Sequence, residues 1–227
     1  MLADVDIAPV AALLADPTRA TIVSALHDGR ALSAGELARR ARVGASTASG
    51  HLSRLVDGGI LVVERTGRHR YYRLANADVA LACEALAAIA PPAPVRSLRD
   101  ATIGAELAAA RLCYDHLAGE LGVAVTAALL ERRALVENGD RFTAGPGFDE
   151  NLDRLGVELV PSRRPLALRC IDWSERRPHV AGGLGAALAG RALEAGWVVR
   201  RTGTRALRVT ESGAEALRSL LGVSLRS

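Results

Sequence analysis

Two short stretches in the second half of the chain hold most of its chemically versatile side chains: Arg111-Leu112-Cys113-Tyr114-Asp115-His116, and Arg169-Cys170-Ile171-Asp172-Trp173-Ser174-Glu175-Arg176-Arg177-Pro178-His179. A cysteine thiolate is a nucleophile and a redox target, and thiolate with imidazole forms a soft ligand set that suits zinc or copper. The spacing of Ile103, Leu107, Ala110, Tyr114, Leu117 and Leu121 predicts one amphipathic helix, which places Cys113 and His116 on a common face. Cys170 and His179 flank a turn at the start of a second helix, expected to run from Pro178 to Glu194. If the stretches meet, Cys113, His116, Cys170, Asp172, Trp173 and His179 line one pocket, fitted to a small organic or thiol-reactive species better than to a hard metal ion. The same residues also read as plain structure, with Cys113 and Cys170 as small buried hydrophobes, His116 and His179 serving backbone groups, and Arg111 with Asp115 as a helix ion pair. A hydrolase using Cys113 and His116 is a poor reading, because one helical face orients neither group for attack. No catalytic residue, metal ligand set or cofactor is assigned.

The other chemistry is cationic. Between Arg30 and Arg73 nine Arg face Glu36, Asp57 and Glu64, so this segment carries +6 while the whole chain carries +4. A concentrated positive segment suits a polyanion. The elements that must position it are legible. Asp16-Pro17 is an N-cap followed by Pro at the first helical position, with Ile22, Val23 and Leu26 on one face and Gly29 as the stop. Ser33 caps a short helix with Leu37 and Ala38 inward, Val43-Gly44 makes a turn, and Ser46 to Asp57 form another helix burying Leu52, Leu55 and Val56. Two short helices about a tight turn are a helix-turn-helix. Burying those three leaves Ser46, Thr47, Ser49, Gly50, Ser53 and Arg54 outside, where hydroxyls can approach phosphates and base edges and an Arg can read guanine. His51 reads equally as a phosphate contact or a helix-packing residue. Two β-prone runs, 60–65 and 69–74, surround a Thr66-Gly67-Arg68 turn and predict a hairpin carrying Arg68 and Arg70, with Tyr71 and Tyr72 as its support. Arg19 is expected in a structural ion pair.

With 227 residues, 49% hydrophobic and 24% charged, the chain can build a real core, and with 3% aromatic residues that core must be aliphatic. Every one of the 29 basic residues is Arg; without lysine, Walker phosphate loops and Schiff-base enzymes are excluded. Three scattered cysteines make a disulfide framework improbable. With no basic-apolar leader and no long uncharged apolar stretch, a cytoplasmic protein without a membrane partner is expected. Three prolines among residues 91–94 divide the chain into 1–90, a linker at 91–98, and 99–227. The closing helix, 78–90, is Ala-rich and apolar nearly all round, which demands burial in the core or against a second copy. Leu55 to Gly67 is echoed by Leu193 to Gly203, each a helix end, a Gly, an apolar strand and an Arg-Thr-Gly turn.

Leu14-Ala15-Asp16-Pro17-Thr18-Arg19, Ser46 to Leu55, Gly59-Ile60-Leu61 and Gly67 to Leu74 occur in the order found in the ArsR family of bacterial winged-helix repressors, which residues 8–90 resemble. The two cysteine stretches resemble those of ArsR-like regulators with an extra C-terminal domain. The resemblance implies a mainly α fold with small β-hairpin wings, a winged helix-turn-helix, duplicated, acting as a homodimer on double-stranded DNA in response to an effector. The family's metal sites, a Cys-x-Cys pair before the recognition helix or Asp, His and Glu on the closing helix, have no counterpart in Glu36 to Arg40 or in Asp78 to Glu84. The rival readings are a sequence-tolerant DNA-packaging protein and an enzyme in the second half.

Overall fold

The computed structural model describes residues 5–67, 69–91, 94–95 and 97–225. Arg68 and three linker positions, Pro92, Ala93 and Arg96, lie outside these residues. The chain divides into two compact units, residues 1–80 and 81–227.

In unit 1, α1 (Ala8–Leu14) leads to α2 (Pro17–Ala25), β1 (Leu32–Ser33), α3 (Ala34–Ala41), α4 (Ala45–Asp57), β2 (Leu61–Thr66) and β3 (His69–Leu74). The sequence signals act as expected. The Asp16 carboxylate accepts from the Arg19 amide at 2.9 Å and Pro17 opens α2. Ser33 and Glu36 form a reciprocal capping box on α3. Arg42, in the left-handed conformation, ends α3 and turns the chain into α4. Ile22, Leu26, Leu37, Leu52, Leu55 and Leu74 are fully buried, joined by Tyr72 from the hairpin. β1 adds to the hairpin to give the order β1-β3-β2, with Leu32 opposite Tyr72. A helix-turn-helix against a three-stranded sheet with a protruding hairpin is a winged helix.

The helix α5 (Ala77–Ile89) spans the division. Unit 2 then contains α6 (Leu98–Ala109), β4 (Arg111–Cys113), β5 (His116–Ala118), α7 (Gly119–Glu131), β6 (Leu135–Asn138), β7 (Arg141–Ala144), α8 (Phe148–Leu155), β8 (Leu168–Ile171), β9 (Pro178–Ala181), α9 (Gly182–Glu194), β10 (Val198–Arg200), β11 (Leu207–Val209) and α10 (Glu211–Leu221). Two expectations fail here. The single helix through 103–121 is broken, because Ala110 leaves helical conformation and the chain is taken into a sheet by Leu207 N–H to Ala110 O (2.8 Å) and Leu112 N–H to Arg205 O (3.2 Å). Tyr114, at φ 60°, then reverses it, so Cys113 and His116 are cross-strand partners, not helical neighbours. Likewise Pro178 opens strand β9, an allowed place for a residue without N–H, and α9 begins only at Gly182.

A repeat that the helical reading of 103–121 conceals organises this unit. Cys-x-Asp, then His, an aliphatic residue and Ala-Gly-x-Leu-Gly occur at 113–122 and again at 170–185, with three residues from Cys to His in the first copy and nine in the second. Each copy builds a hairpin, a helix, a second hairpin and a helix. The copies exchange strands: β6-β7 joins β8-β9 in one sheet, and β11 of the second copy bonds to β4 of the first. Gly122 and Gly185 occupy equivalent sites one turn into α7 and α9, where a Cβ would lie 2.3 Å from Leu117 O and 2.4 Å from Val180 O. The Leu193 to Gly203 echo also forms a helix end, a Gly and a hairpin. The core is aliphatic, built on Leu112, Leu121, Leu129, Leu135 and Leu184 with Phe142.

Two glycines of α9 should therefore respond oppositely to alanine. Gly185→Ala meets a backbone carbonyl and His116 Cβ at 2.9 Å, and should lower the unfolding free energy in urea by about 1–3 kcal/mol. Gly190→Ala meets nothing within 4 Å and should raise it by about 0.5–1 kcal/mol.

Candidate nucleic-acid interface and a buried cysteine-histidine cluster

On α4, Ala48, Leu52 and Leu55 are buried and Val56 is half-buried. Ser46, Thr47, Ser49, Gly50, Ser53 and Arg54 are all exposed, a continuous polar face of small side chains with one guanidinium. His51 turns away from that face: its Nδ1 lies 3.6 Å from the Asp16 carboxylate, which itself caps α2. The helix-packing reading of His51 is therefore the one this geometry supports. Arg70 is exposed on β3 opposite Arg65, while Arg73 is paired with Glu64 across the hairpin. Tyr72 is buried and Tyr71 half-buried, which anchors the hairpin from within. Arg19 is buried; its guanidinium donates to Leu13 O (2.6 Å) and Ala12 O (2.9 Å), closing the C-terminus of α1, and lies 3.8 Å from Asp16.

In unit 2 the structure brings Cys113, His116, Cys170 and His179 together, by a route other than the expected helical face, with Asp172 beside His179 and Trp173 against Arg111. Cys113 faces His116 across the β4-β5 hairpin and Cys170 faces His179 across β8-β9. The two hairpins meet so that the His116 and His179 rings stack with centroids 5.0 Å apart. The two sulfurs and a ring nitrogen from each histidine all lie within 4.8 Å of one another, and all four residues are buried. His116 Nδ1 is 3.3 Å from Asp115 and His179 Nδ1 is 3.8 Å from Asp172, the same carboxylate of each repeat.

Asp172 anchors a wider network. Its Oδ2 accepts from Arg111 Nη2 at 2.8 Å and from the Gly119 amide at 2.6 Å, while Oδ1 accepts from Ser174 Oγ and the Ser174 and Glu175 amides. Burial alone would raise this carboxyl, but Arg111 and these donors outweigh it and hold the pKa down at about 2. Arg111, fully buried, also donates to Leu107 O and Ser174 Oγ and lies 4.5 Å from the Trp173 ring centre. The expected Arg111–Asp115 pair is thus replaced. Asp115 bonds Arg164 at 2.6 Å, because the hairpin turn carries it away from Arg111. Burial, reinforced by the neighbouring Cys170 thiol, pushes the Cys113 thiol up, and burial beside Glu84 pushes Cys83 up to about 11. Neither is an activated thiol. Elsewhere in the unit an open groove of about 410 Å³ is lined by Glu106, Glu120, Arg201, Arg208, Leu217 and Val223.

The tight turn between α3 and α4, the exposed polar face of α4 and the wing together define a winged helix-turn-helix DNA-binding protein. Residues 14–64 match the family model described as a helix-turn-helix domain. Over 223 residues, 97% of this chain and 99% of the relative, the sequence is 44% identical to the uncharacterized HTH-type transcriptional regulator YdfF of Bacillus subtilis (strain 168). The chain belongs to that family of HTH-type transcriptional regulators. Among solved structures it is similar to the transcriptional repressor BigR from Xylella fastidiosa, at 31% identity over 38% of this chain and 88% of that one (TM-score 0.35). It is similar also to the homodimeric winged helix-turn-helix domain of Mb0332 from Mycobacterium bovis, a possible ArsR-family regulator, at 31% identity over 35% of this chain and 73% of that one (TM-score 0.34). No helix among the described residues is long and apolar enough to cross a membrane.

The two aspartates of the repeat should differ in weight. Asp172→Ala strands the buried Arg111 charge and should lower the unfolding free energy by about 3–5 kcal/mol. Arg164→Ala, which cuts a pair open to solvent, should cost under about 1 kcal/mol by the same urea titration.

Proposed function

We propose that this regulator is a homodimeric, cytoplasmic repressor of the ArsR type that reads a two-fold symmetric operator and responds to a signal received by its second unit. The observation that carries the reading is the outward face of α4, where Ser46, Thr47, Ser49, Gly50, Ser53 and Arg54 stand exposed on a helix whose opposite face is buried. Short hydroxyls permit close approach to phosphates, and Arg54 offers the bidentate fork that matches guanine. Arg70 on the wing, together with Arg68, supplies backbone contacts that carry no sequence information. A sequence-tolerant packaging protein would have no use for the polar face of α4.

Dimerisation is supported by apolar surface left uncovered in the single chain. The helix α1 buries none of its residues, with Val10 at 47% exposure, and on α5 Leu86 and Ile89 are 48% and 81% exposed. A dimer presents two recognition helices to one face of the duplex. The signal can alter DNA affinity only as far as it distinguishes the binding-competent arrangement of the dimer from others. An organic effector would find room in the groove near Glu106 and Arg201, whose volume is in the range of small-molecule sites.

Arg54→Ala should relax base preference by about 1–3 kcal/mol at one position of each half-site, whereas Arg70→Ala should weaken all sequences alike and lower the salt slope by about one. Binding isotherms on operator and random DNA over a salt series separate these effects, and equal losses from both variants would contradict the division of roles. Leu86→Asp should weaken dimerisation about 10–100-fold by light scattering or sedimentation, since a carboxylate would be buried there without a partner.

A further inference from the structure

The four-residue cluster belongs to unit 2, outside the helix-turn-helix, and its composition is unusual for a protein core. Two histidines, 3% and 0% exposed, stack on each other with His116 Nε2 and both ring nitrogens of His179 lacking any hydrogen-bond partner. Buried polar atoms are nearly always satisfied, and leaving three orphaned in one place is expensive. Beside them two thiols, 1% and 4% exposed, complete a set of four donors. We propose that Cys113, His116, Cys170 and His179 bind one zinc-class ion in a closed tetrahedral Cys₂His₂ site.

The geometry and charge both suit this ion. With zinc–sulfur and zinc–nitrogen bonds of about 2.3 and 2.0 Å, donors at the corners of a tetrahedron stand roughly 3.3–3.8 Å apart. The present separations, all within 4.8 Å, need contract by about 1.5 Å at most to reach that spacing. Two thiolates neutralise a divalent cation, so the filled site is neutral in its low-dielectric surroundings. The mixed sulfur and nitrogen set favours zinc over the harder cations, which take oxygen. Asp115 holds His116 through Nδ1, leaving Nε2 for the ion, and Asp172 stands behind His179 in the second repeat. A carboxylate bonded to a ligating imidazole is the outer layer that zinc sites use to fix ring orientation, and His116 has it, whereas Asp172 at 3.8 Å is too far to bond His179. One Cys and one His come from each hairpin, so the ion would cross-link the two repeats. Four donors within 4.8 Å of one another match the span of one ion. All four positions are filled by protein, which makes the site structural or sensory and leaves no open position for catalysis.

The test uses the full chain, reduced and stripped with a chelator, then titrated with Co²⁺ and competed with Zn²⁺. One Co²⁺ per chain should bind with the intense visible bands of a tetrahedral ion and thiolate charge-transfer absorption, and Zn²⁺ should displace it. Cys113→Ser and Cys170→Ser should each lower affinity at least 100-fold and reduce the charge-transfer band, and Asp115→Asn should lower affinity about 10–100-fold with the band retained. X-ray absorption of the zinc-loaded native chain, which needs no variant to fold, should count two sulfur and two nitrogen ligands. No stoichiometric uptake, a weak octahedral cobalt spectrum, an oxygen-rich shell, or undiminished binding by the double Cys variant would each overturn the site.

Discussion

The fully buried ion pair between Arg111 and Asp172 is the contact around which the second unit is arranged, because it joins the two repeats where neither charge can be screened by water. Desolvating both groups is costly, and the pair is tolerable only because every lone pair has a donor: Arg111, Gly119, Ser174 and Glu175 all converge on one carboxylate. Gly119 opens α7, so the carboxylate also sits at the positive end of that helix dipole. Fixing Asp172 fixes the β8-β9 hairpin against the start of α7. That placement brings His179 under His116 and sets Cys170 beside Cys113. The glycines at 122 and 185 permit it, since any side chain there would hold the helices away from the hairpins.

Unit 1 depends on a smaller arrangement of the same kind. Arg19 closes the last carbonyls of α1 and stands near Asp16, while Asp16 caps α2 and sits beside His51 of α4. One carboxylate thus refers α4 to the start of α2. With Ala48, Leu52 and Leu55 held in the core, the rotation of α4 about its own axis is determined, and its polar face must point outward. The surface proposed to read DNA follows from packing on the opposite side of the helix.

Unit 1 was largely legible because its signals are local. Asp16-Pro17, Ser33 with Glu36 and the Gly67 turn each act within a few residues, and the structure uses each where the sequence puts it. Strand β1, two residues long, had no such signal; it exists only because Leu32 pairs with Tyr72 far along the chain. In unit 2 the strands are three or four residues long, too short for alternation to show, and spacings of three and four across Ile103 to Leu121 imitate a helix. Residue type alone groups Cys113, His116, Cys170, Asp172, Trp173 and His179, and the two cysteines and two histidines come together through hairpins of distant repeats. The repeat itself was available in the sequence, hidden by the six extra residues between Cys170 and His179 relative to Cys113 and His116. Cys-x-Asp and His-aliphatic-Ala-Gly-x-Leu-Gly align once that insertion is allowed.

The central claim is that α4 enters the major groove from each half of a dimer. Methylation interference on DNA selected by the full chain from a random pool tests it most directly, because methyl groups on guanine N7 block the major groove and those on adenine N3 the minor groove. The account predicts two patches of interference on one face of the duplex, about 34 Å apart and related by two-fold symmetry. Interference confined to the minor groove, or selected DNA without a shared sequence, would contradict it.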